Sequence, residues 1–316
     1  MKIIVTGGCG YTGTVLTEKL ISQGHRVTVI DTQWFGNHLK TNKNLKIIKK
    51  DIRDITESIF EKIDAVVHLA NIANDPSVEL NPNLSWDVNV LATKKIVEFS
   101  IRKKVKQFIF ASSGSVYGVK KEKKVTENLS CVPISVYNKT KMVAERILHS
   151  YTDKIKIHCI RPATVCGFSP RMRLDVSVNM FIYQALKNKK ITVFGGKQIR
   201  PNININDLVN VYIHFLKNPK ITSGDYNAGF ENLKILEIAQ LVQKYIPCKV
   251  SVIKENNDPR SYRQDSQKLL KTGFKLKHSV ESAILDIKEK YENNQILMNE
   301  KCNTVKWMKK IGLGNG

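Results

Sequence analysis

Ser113, Tyr137 and Lys141 are the residues of this chain whose types and spacing can move a proton. Tyr137 and Lys141 stand four apart in Val136-Tyr137-Asn138-Lys139-Thr140-Lys141, a run expected to be helical, so a phenol and an ammonium share one helix face. A phenol with a reference pKa of about 10 is a poor base at neutral pH, but a nearby positive charge favours its ionised form, and a fixed lysine can bring it toward working range. The trio reads as a proton-transfer site built around tyrosine. A Tyr-x-x-x-Lys spacing also occurs on ordinary helix surfaces, so the surrounding sequence decides the matter.

At the N-terminus, Lys2 to Thr6 reads as a short buried strand, and Thr12 to Gln23 as a helix with Val15, Leu16, Leu20 and Ile21 on one side. Between them, Gly7, Gly10 and Gly13 form a G-x-x-G-x-x-G pattern. Such a loop turns tightly, lets backbone approach a pyrophosphate and aims a helix N-terminus at its charge. A second strand, Arg26 to Ile30, ends in Asp31, eighteen residues after Gly13 and placed to accept hydrogen bonds from an adenosine ribose. An acid there repels a 2′-phosphate, so the expected cofactor is NAD rather than NADP.

Strand and helix signals alternate onward: strands at 45–49, 65–69, 107–111 and 155–160, helices at 84–103 and 135–151. The alternation predicts an α/β fold, a Rossmann-type doubly wound parallel sheet with a smaller mixed α/β substrate-binding lobe. Residues 1–166 are expected to form the dinucleotide domain. Residues 167–316 are expected to form mainly the second lobe, with some segments returning to the first. Ligands in such sheets sit beyond the carboxyl ends of the strands. Gly7, Asp31, Asp51, His68 to Ala70, Ser113 and Arg161 all fall just past predicted strand ends and should converge on one crevice. His68 reads as a packed strand-end residue rather than a base. The tail from Lys301 has Trp307 and Ile311 but little pattern, and reads as a docked helix or a partly disordered end.

Composition narrows the function classes. The formal charge is +23, but the excess is lysine dispersed in pairs such as Lys49-Lys50 and Lys309-Lys310, with no zinc-finger or RNA-recognition signature, so no nucleic-acid partner is expected. No apolar run approaches the ~18 residues of a membrane span, so a soluble cytoplasmic protein is expected. The six cysteines have no C-x-x-C spacing, which suggests neither a metal site nor a disulfide framework.

Taken together, Thr6-Gly7-Gly8-Cys9-Gly10-Tyr11-Thr12-Gly13, Asp31, Asp51-Ile52-Arg53-Asp54, His68-Leu69-Ala70, Asn89, Ser112-Ser113-Gly114-Ser115-Val116-Tyr117-Gly118, Tyr137 with Lys141, and Arg161-Pro162-Ala163-Thr164-Val165 resemble the extended short-chain dehydrogenase/reductase family, in its nucleotide-sugar epimerase and dehydratase branch. The resemblance spans roughly residues 1 to 292, and the stretch from Gly167 to Asp175 is similar to a branch that includes nucleotide-heptose 4-oxidising enzymes. It implies that Asp51 and Ile52 contact adenine, and that Leu69, Ala70 and Ala73 line the pyrophosphate and nicotinamide-ribose path. It further implies cofactor contacts for Tyr11, Thr12, Asn89, Tyr137, Lys141 and Val165. Ser113 would hold the reacting sugar oxygen, and Tyr137 would remove its proton.

The same resemblance implies a nucleotide-diphosphate sugar as substrate, with Asn179, Arg200 and Arg260 meeting the diphosphate. Arg171 and Arg173 would join them or pair with Asp175. It also implies a homodimer packed through the helices at 84–103 and 135–151. Family dehydratases carry an Asp-Glu pair directly after the catalytic residue, and decarboxylases a glutamate two before the V-Y-G tyrosine; Gly114 and Ser115 stand there, so elimination and decarboxylation lack their usual acid. Cys166, in place of a common tyrosine, reads as pocket wall. The leading expectation is an NAD-dependent epimerase acting through transient oxidation at sugar C4. The alternative is a nucleotide-sugar or nucleotide-heptose 4-dehydrogenase or ketoreductase; a non-catalytic NAD-binding protein is disfavoured by the retained tyrosine and lysine, and a basic RNA-associated protein rests only on charge.

Overall fold

The computed structural model describes residues 1–254, 261–296 and 298–313. In chain order its strands are β1 (Lys2–Thr6), β2 (Arg26–Asp31), β3 (Leu45–Lys49), β4 (Ala65–His68), β5 (Gln107–Ala111), β6 (Lys156–Pro162), β7 (Thr164–Cys166), β8 (Lys190–Phe194), β9 (Ile199–Asn204), β10 (Gly224–Ala228), β11 (Glu231–Lys234) and β12 (Lys249–Ile253). The helices are α1 (Tyr11–Ser22), α2 (Asp75–Val78), α3 (Pro82–Trp86), α4 (Ala92–Arg102), α5 (Val136–His149), α6 (Ser177–Asn188), α7 (Ile205–Lys217), α8 (Ile235–Tyr245), α9 (Gln267–Leu270), α10 (Val280–Glu292) and α11 (Thr304–Lys310).

Seven strands form one parallel sheet in the order β10-β6-β5-β4-β1-β2-β3. Ile3, Ile4, Val5, Val66, Val67, Phe108 and Ile109 are fully buried, as strands covered by helices on both faces require. The order reverses beside β1, where its C-terminal end and that of β4 open a crevice. The sheets β11-β9-β7 and β12-β8, with α6, α8 and α10, build the second lobe around its own apolar cluster, which includes Val178, Phe181, Ile191, Ile238 and Ile284. β10, from far along the chain, completes the edge of the main sheet beside β6.

The helix expected over 84–103 is interrupted: between α3 and α4 the chain makes one π-helical turn, Asp87–Leu91. Asn89 sits in that turn, 1% exposed, with its side-chain oxygen accepting from Ile72 N (2.8 Å) and its amide donating to Ile72 O (3.2 Å) and Thr140 Oγ1 (3.1 Å). The widened turn turns an amide inward that an α-helix would place elsewhere, a use typical of π-bulges. It fixes the loop after β4 to α5.

Arg161, at the end of β6, is 3% exposed and forms a fork with Glu145 of α5 (2.8 and 2.7 Å), a second bond to Asp225 of β10 (2.7 Å) and a third to the Tyr117 hydroxyl (2.9 Å). Removing one member of a buried ion network strands the other charges. Arg161→Ala is therefore expected to lower stability by about 3–5 kcal/mol in urea unfolding, and a loss under about 1 kcal/mol would mean that water replaces the guanidinium at no cost.

Candidate active site

One cavity of about 650 Å3 runs across the C-terminal ends of the main sheet into the second lobe. Its wall takes Gly7, Gly10 to Gly13, Asp31, Asp51 and Ile52 at one end, Leu69, Ala70, Ala73, Ser113, Tyr137 and Lys141 in the middle, and Val165, Arg171, Arg173, Ser177, Arg200 and Tyr262 toward the lobe. Asn89 and Asn179 line no part of it. Asn179 is fully buried: its oxygen accepts from Gly167 N (3.1 Å), and its amide donates to the Tyr11 hydroxyl (3.0 Å) and to Arg173 O (2.9 Å). It props the loop that carries Arg171 and Arg173. Arg260 lies outside the described residues.

Local sequence explains the glycine end. Gly7 has φ +70°, and a Cβ there would fall 2.7 Å from Ala70 N, so only glycine lets β1 turn beside the loop after β4. At Gly10 an added Cβ would meet only Gly7 O, at 3.1 Å; otherwise it would project into the cavity, where a ligand phosphate needs the room. Asp31 binds the loop from below, accepting from Cys9 N (3.0 Å) and Gln33 N (2.6 Å). Burial raises its carboxyl above the ordinary value, and those two backbone donors oppose the shift.

Ser135 caps α5, accepting from Asn138 N (3.2 Å) and donating to Asp75 Oδ1 (2.5 Å). That cap starts the helix directly before Tyr137, which stands half-buried in the cavity wall with the Ser113 hydroxyl in hydrogen-bonding reach. Burial pushes the Tyr137 phenol up to about 12, while the Ser113 hydroxyl and the Arg173 charge oppose the rise. Lys141 is 2% exposed, donates to Ala111 O (2.7 Å) and lies 4.8 Å from the Phe110 ring centre. Burial lowers its pKa to about 7. Burial thus tunes both groups, each toward its neutral form. His68, as expected, is packed. Thr93 Oγ1 donates to Asn89 O, so it accepts from His68 Nε2 (2.9 Å) and leaves Nδ1 to accept from Thr6 Oγ1 (2.6 Å). Burial holds the ring neutral, with its pKa pushed down to about 3.

The two lobe arginines separate. Arg173 pairs with Asp175 (2.7 Å). Arg171, 5% exposed, stacks its guanidinium 4.0 Å from the Phe35 ring centre, and its Nε is buried with no partner. The Phe35 contact places it beside the loop that follows Asp31. Ser177 Oγ at the start of α6 and Asn71 Oδ1 are likewise unpartnered and line the cavity. Sequence reading passed over Ser177, Asn71, Asp75 and Phe35. Only Ser177 had a local signal, a hydroxyl in the first turn of a segment, 176–187, whose sequence reads as a helix.

Buried cations and orphaned polar atoms facing a cavity beside a glycine loop at the switch point of a parallel sheet define a Rossmann-type dinucleotide enzyme. Residues 3–229 match the NAD dependent epimerase/dehydratase family, and the chain belongs to it. It is 31% identical to UDP-glucose 4-epimerase of Lactobacillus helveticus, over 88% of this chain and 93% of that one. It is 30% identical to UDP-glucuronic acid decarboxylase 1 of Danio rerio, over 84% of this chain and 66% of the relative. Among solved structures it resembles UDP-glucuronic acid 4-epimerase from Bacillus cereus in complex with UDP-glucuronic acid and NAD, with a TM-score of 0.82, 27% identity, and 93% of this chain and 100% of that one covered.

Lys141 carries a stability cost with a definite sign. The unfolded chain takes up this proton near pH 10.5 but the folded protein only near 7, so the cost grows as pH falls through that window and is fully present at its lower end. At pH 8, Lys141→Met without cofactor is expected to melt at or above the wild-type temperature, and with NAD supplied to lose turnover by at least about a hundredfold. A lower melting temperature would mean that the bond to Ala111 O outweighs the burial of the amine.

Proposed function

We propose that this protein is an NAD-dependent epimerase of nucleotide-diphosphate sugars that works by transient oxidation at sugar C4. The observation that carries the reading is the meeting, in one cavity, of the glycine loop, of Ser113 with Tyr137 and Lys141, and of Arg200 with the Ser177 end of α6. The relatives with UDP-sugar names make a UDP-sugar the first substrate to try.

The residues fit a dinucleotide. The backbone at Gly10 to Gly13 and the start of α1 would hold its pyrophosphate, Asp31 its adenosine ribose, Asp51 and Ile52 its adenine, and Lys141 its nicotinamide ribose. NAD, when bound, accepts a hydride from the sugar carbon and gives it back. Ser113 would hold the sugar oxygen at that carbon and keep it directed at Tyr137. Tyr137 would take the hydroxyl proton during oxidation and return it during reduction. A cation beside the phenol favours its ionised form, which is what a phenol raised to about 12 by burial needs. Arg200 and the first turn of α6, with Ser177 Oγ, would hold the diphosphate while the oxidised sugar turns its other face to the same groups.

Gly114 and Ser115 support epimerisation over elimination or decarboxylation. Ser115 Oγ lies 2.8 Å from Ser113 Oγ, so the neighbour of the sugar-holding serine is another hydroxyl and not a carboxyl.

Incubation with UDP-, GDP-, CDP- and dTDP-sugars, read by mass and NMR, is expected to give an isomer of unchanged mass with no net NADH. A product lighter by H2 with stoichiometric NADH would replace the epimerase with the 4-dehydrogenase. Tyr137→Phe is expected to keep nucleotide-sugar affinity within a few-fold and to lower turnover by at least about a hundredfold; near-normal turnover would move the base elsewhere.

A further inference from the structure

The C-terminal segment lies beyond the stretch matched by the family, yet α11 forms part of the cavity: Thr304, Val305 and Met308 share its wall with Gly7, Asp31, Thr32 and Asp51. At its start α11 is tied to the second lobe. Leu174 N donates to Cys302 O (2.8 Å), Thr304 N donates to Asp175 Oδ2 (3.1 Å), and Arg171 reaches Thr304 Oγ1 (3.4 Å). Further along it is tied to the main sheet. Trp307 Nε1 donates to Trp34 O (2.6 Å), in the loop that follows Asp31, and Met308, 3% exposed, packs in the apolar cluster of Ile52, Ile72 and Val78. The same loop offers Phe35 to the Arg171 guanidinium. The helix also packs against α2, on the other side of the crevice.

α11 therefore spans the gap between the loop after β2 and the loop of Arg171 to Asp175, which are the two walls of the dinucleotide end. We infer that α11 is a strap that keeps the dinucleotide in the protein between turnovers, with Trp307 as its latch on the adenosine side. The inference rests on the reading of this cavity as the NAD site. Opening the end of the cavity requires loss of the Trp307 bond, withdrawal of Met308 from an apolar cluster and uncapping of Asp175 together, so release is coupled to a cooperative local opening. A cofactor retained in this way must be restored to its oxidised form within each cycle. Epimerisation does that by itself, whereas a dehydrogenase has to exchange its cofactor.

The test is the rate of NADH release from the loaded full-length protein, chased with excess NAD and followed by energy transfer from tryptophan to the reduced nicotinamide. Trp307→Ala, and a chain ending at Met298, are expected to release NADH at least about tenfold faster than wild type, with Lys309→Ala, on the exposed side of α11, unchanged. Folding of each variant is checked by its thermal melt, and if the shortened chain does not fold, Trp307→Ala decides alone. Wild-type release from a folded Trp307→Ala that still isomerises its sugar would overturn the strap and leave the proposed function standing. An intact chain that binds no NADH would remove the function reading and the strap with it.

Discussion

The fork between Arg161 and Glu145 is the interaction on which the mutual placement of Ser113, Tyr137 and Lys141 depends. Glu145 lies one helical turn past Lys141 and two past Tyr137 on α5, so gripping it from β6 sets the rotation and depth of the helix that carries both. The same guanidinium bonds Tyr117, which closes the short turn beginning just after Ser113. Tyr117 in turn donates to Asn227 of β10 (2.8 Å), and Gln264 bonds both Asn227 Oδ1 (3.0 Å) and the Arg161 carbonyl (2.7 Å). One charge thus fixes serine, tyrosine and lysine relative to one another through two paths. A bidentate pair suits the task because it defines direction as well as distance.

A second set of contacts joins the two ligand-binding ends. Tyr11, in the glycine loop, donates to Gly167 O (2.7 Å), accepts from Asn179 and receives Ser169 Oγ on its carbonyl (2.7 Å). The loop that would hold the dinucleotide and the loop bearing Arg171 and Arg173 therefore move as one piece. Asp31 contributes from the other side by holding Cys9 and Gln33. Its carboxylate keeps the loop in place, and in the proposed function its remaining acceptor capacity would meet a ribose.

The site is costly to fold. Burial strips Lys141 of solvation and pulls its pKa down toward neutrality. Such cost is tolerated where the surrounding structure over-determines the geometry, and here the Arg161 network and the Asn89 π turn supply that excess.

What the sequence by itself determined was whatever depends on neighbours along the chain: the glycine turn between a buried strand and a helix, the four-residue spacing that puts Tyr137 over Lys141, and the strand ends that bring Gly7, Asp31 and Ser113 to one crevice, though not Arg161, which is buried in its ion network. Those follow from backbone periodicity and from the conformational reach of glycine, which act locally. Tertiary structure alone decided the partners. Arg173 takes Asp175 while Arg171, two residues before it, stacks on Phe35; Asn179 is spent on Tyr11 and Gly167; and a tail with little pattern becomes a wall of the cavity. These choices set short-range contacts, such as Arg173 with Asp175, against ones between segments more than a hundred residues apart, such as Arg171 with Phe35 and Asn179 with Tyr11. Such a competition is settled by packing and desolvation, and the local pattern holds no record of it.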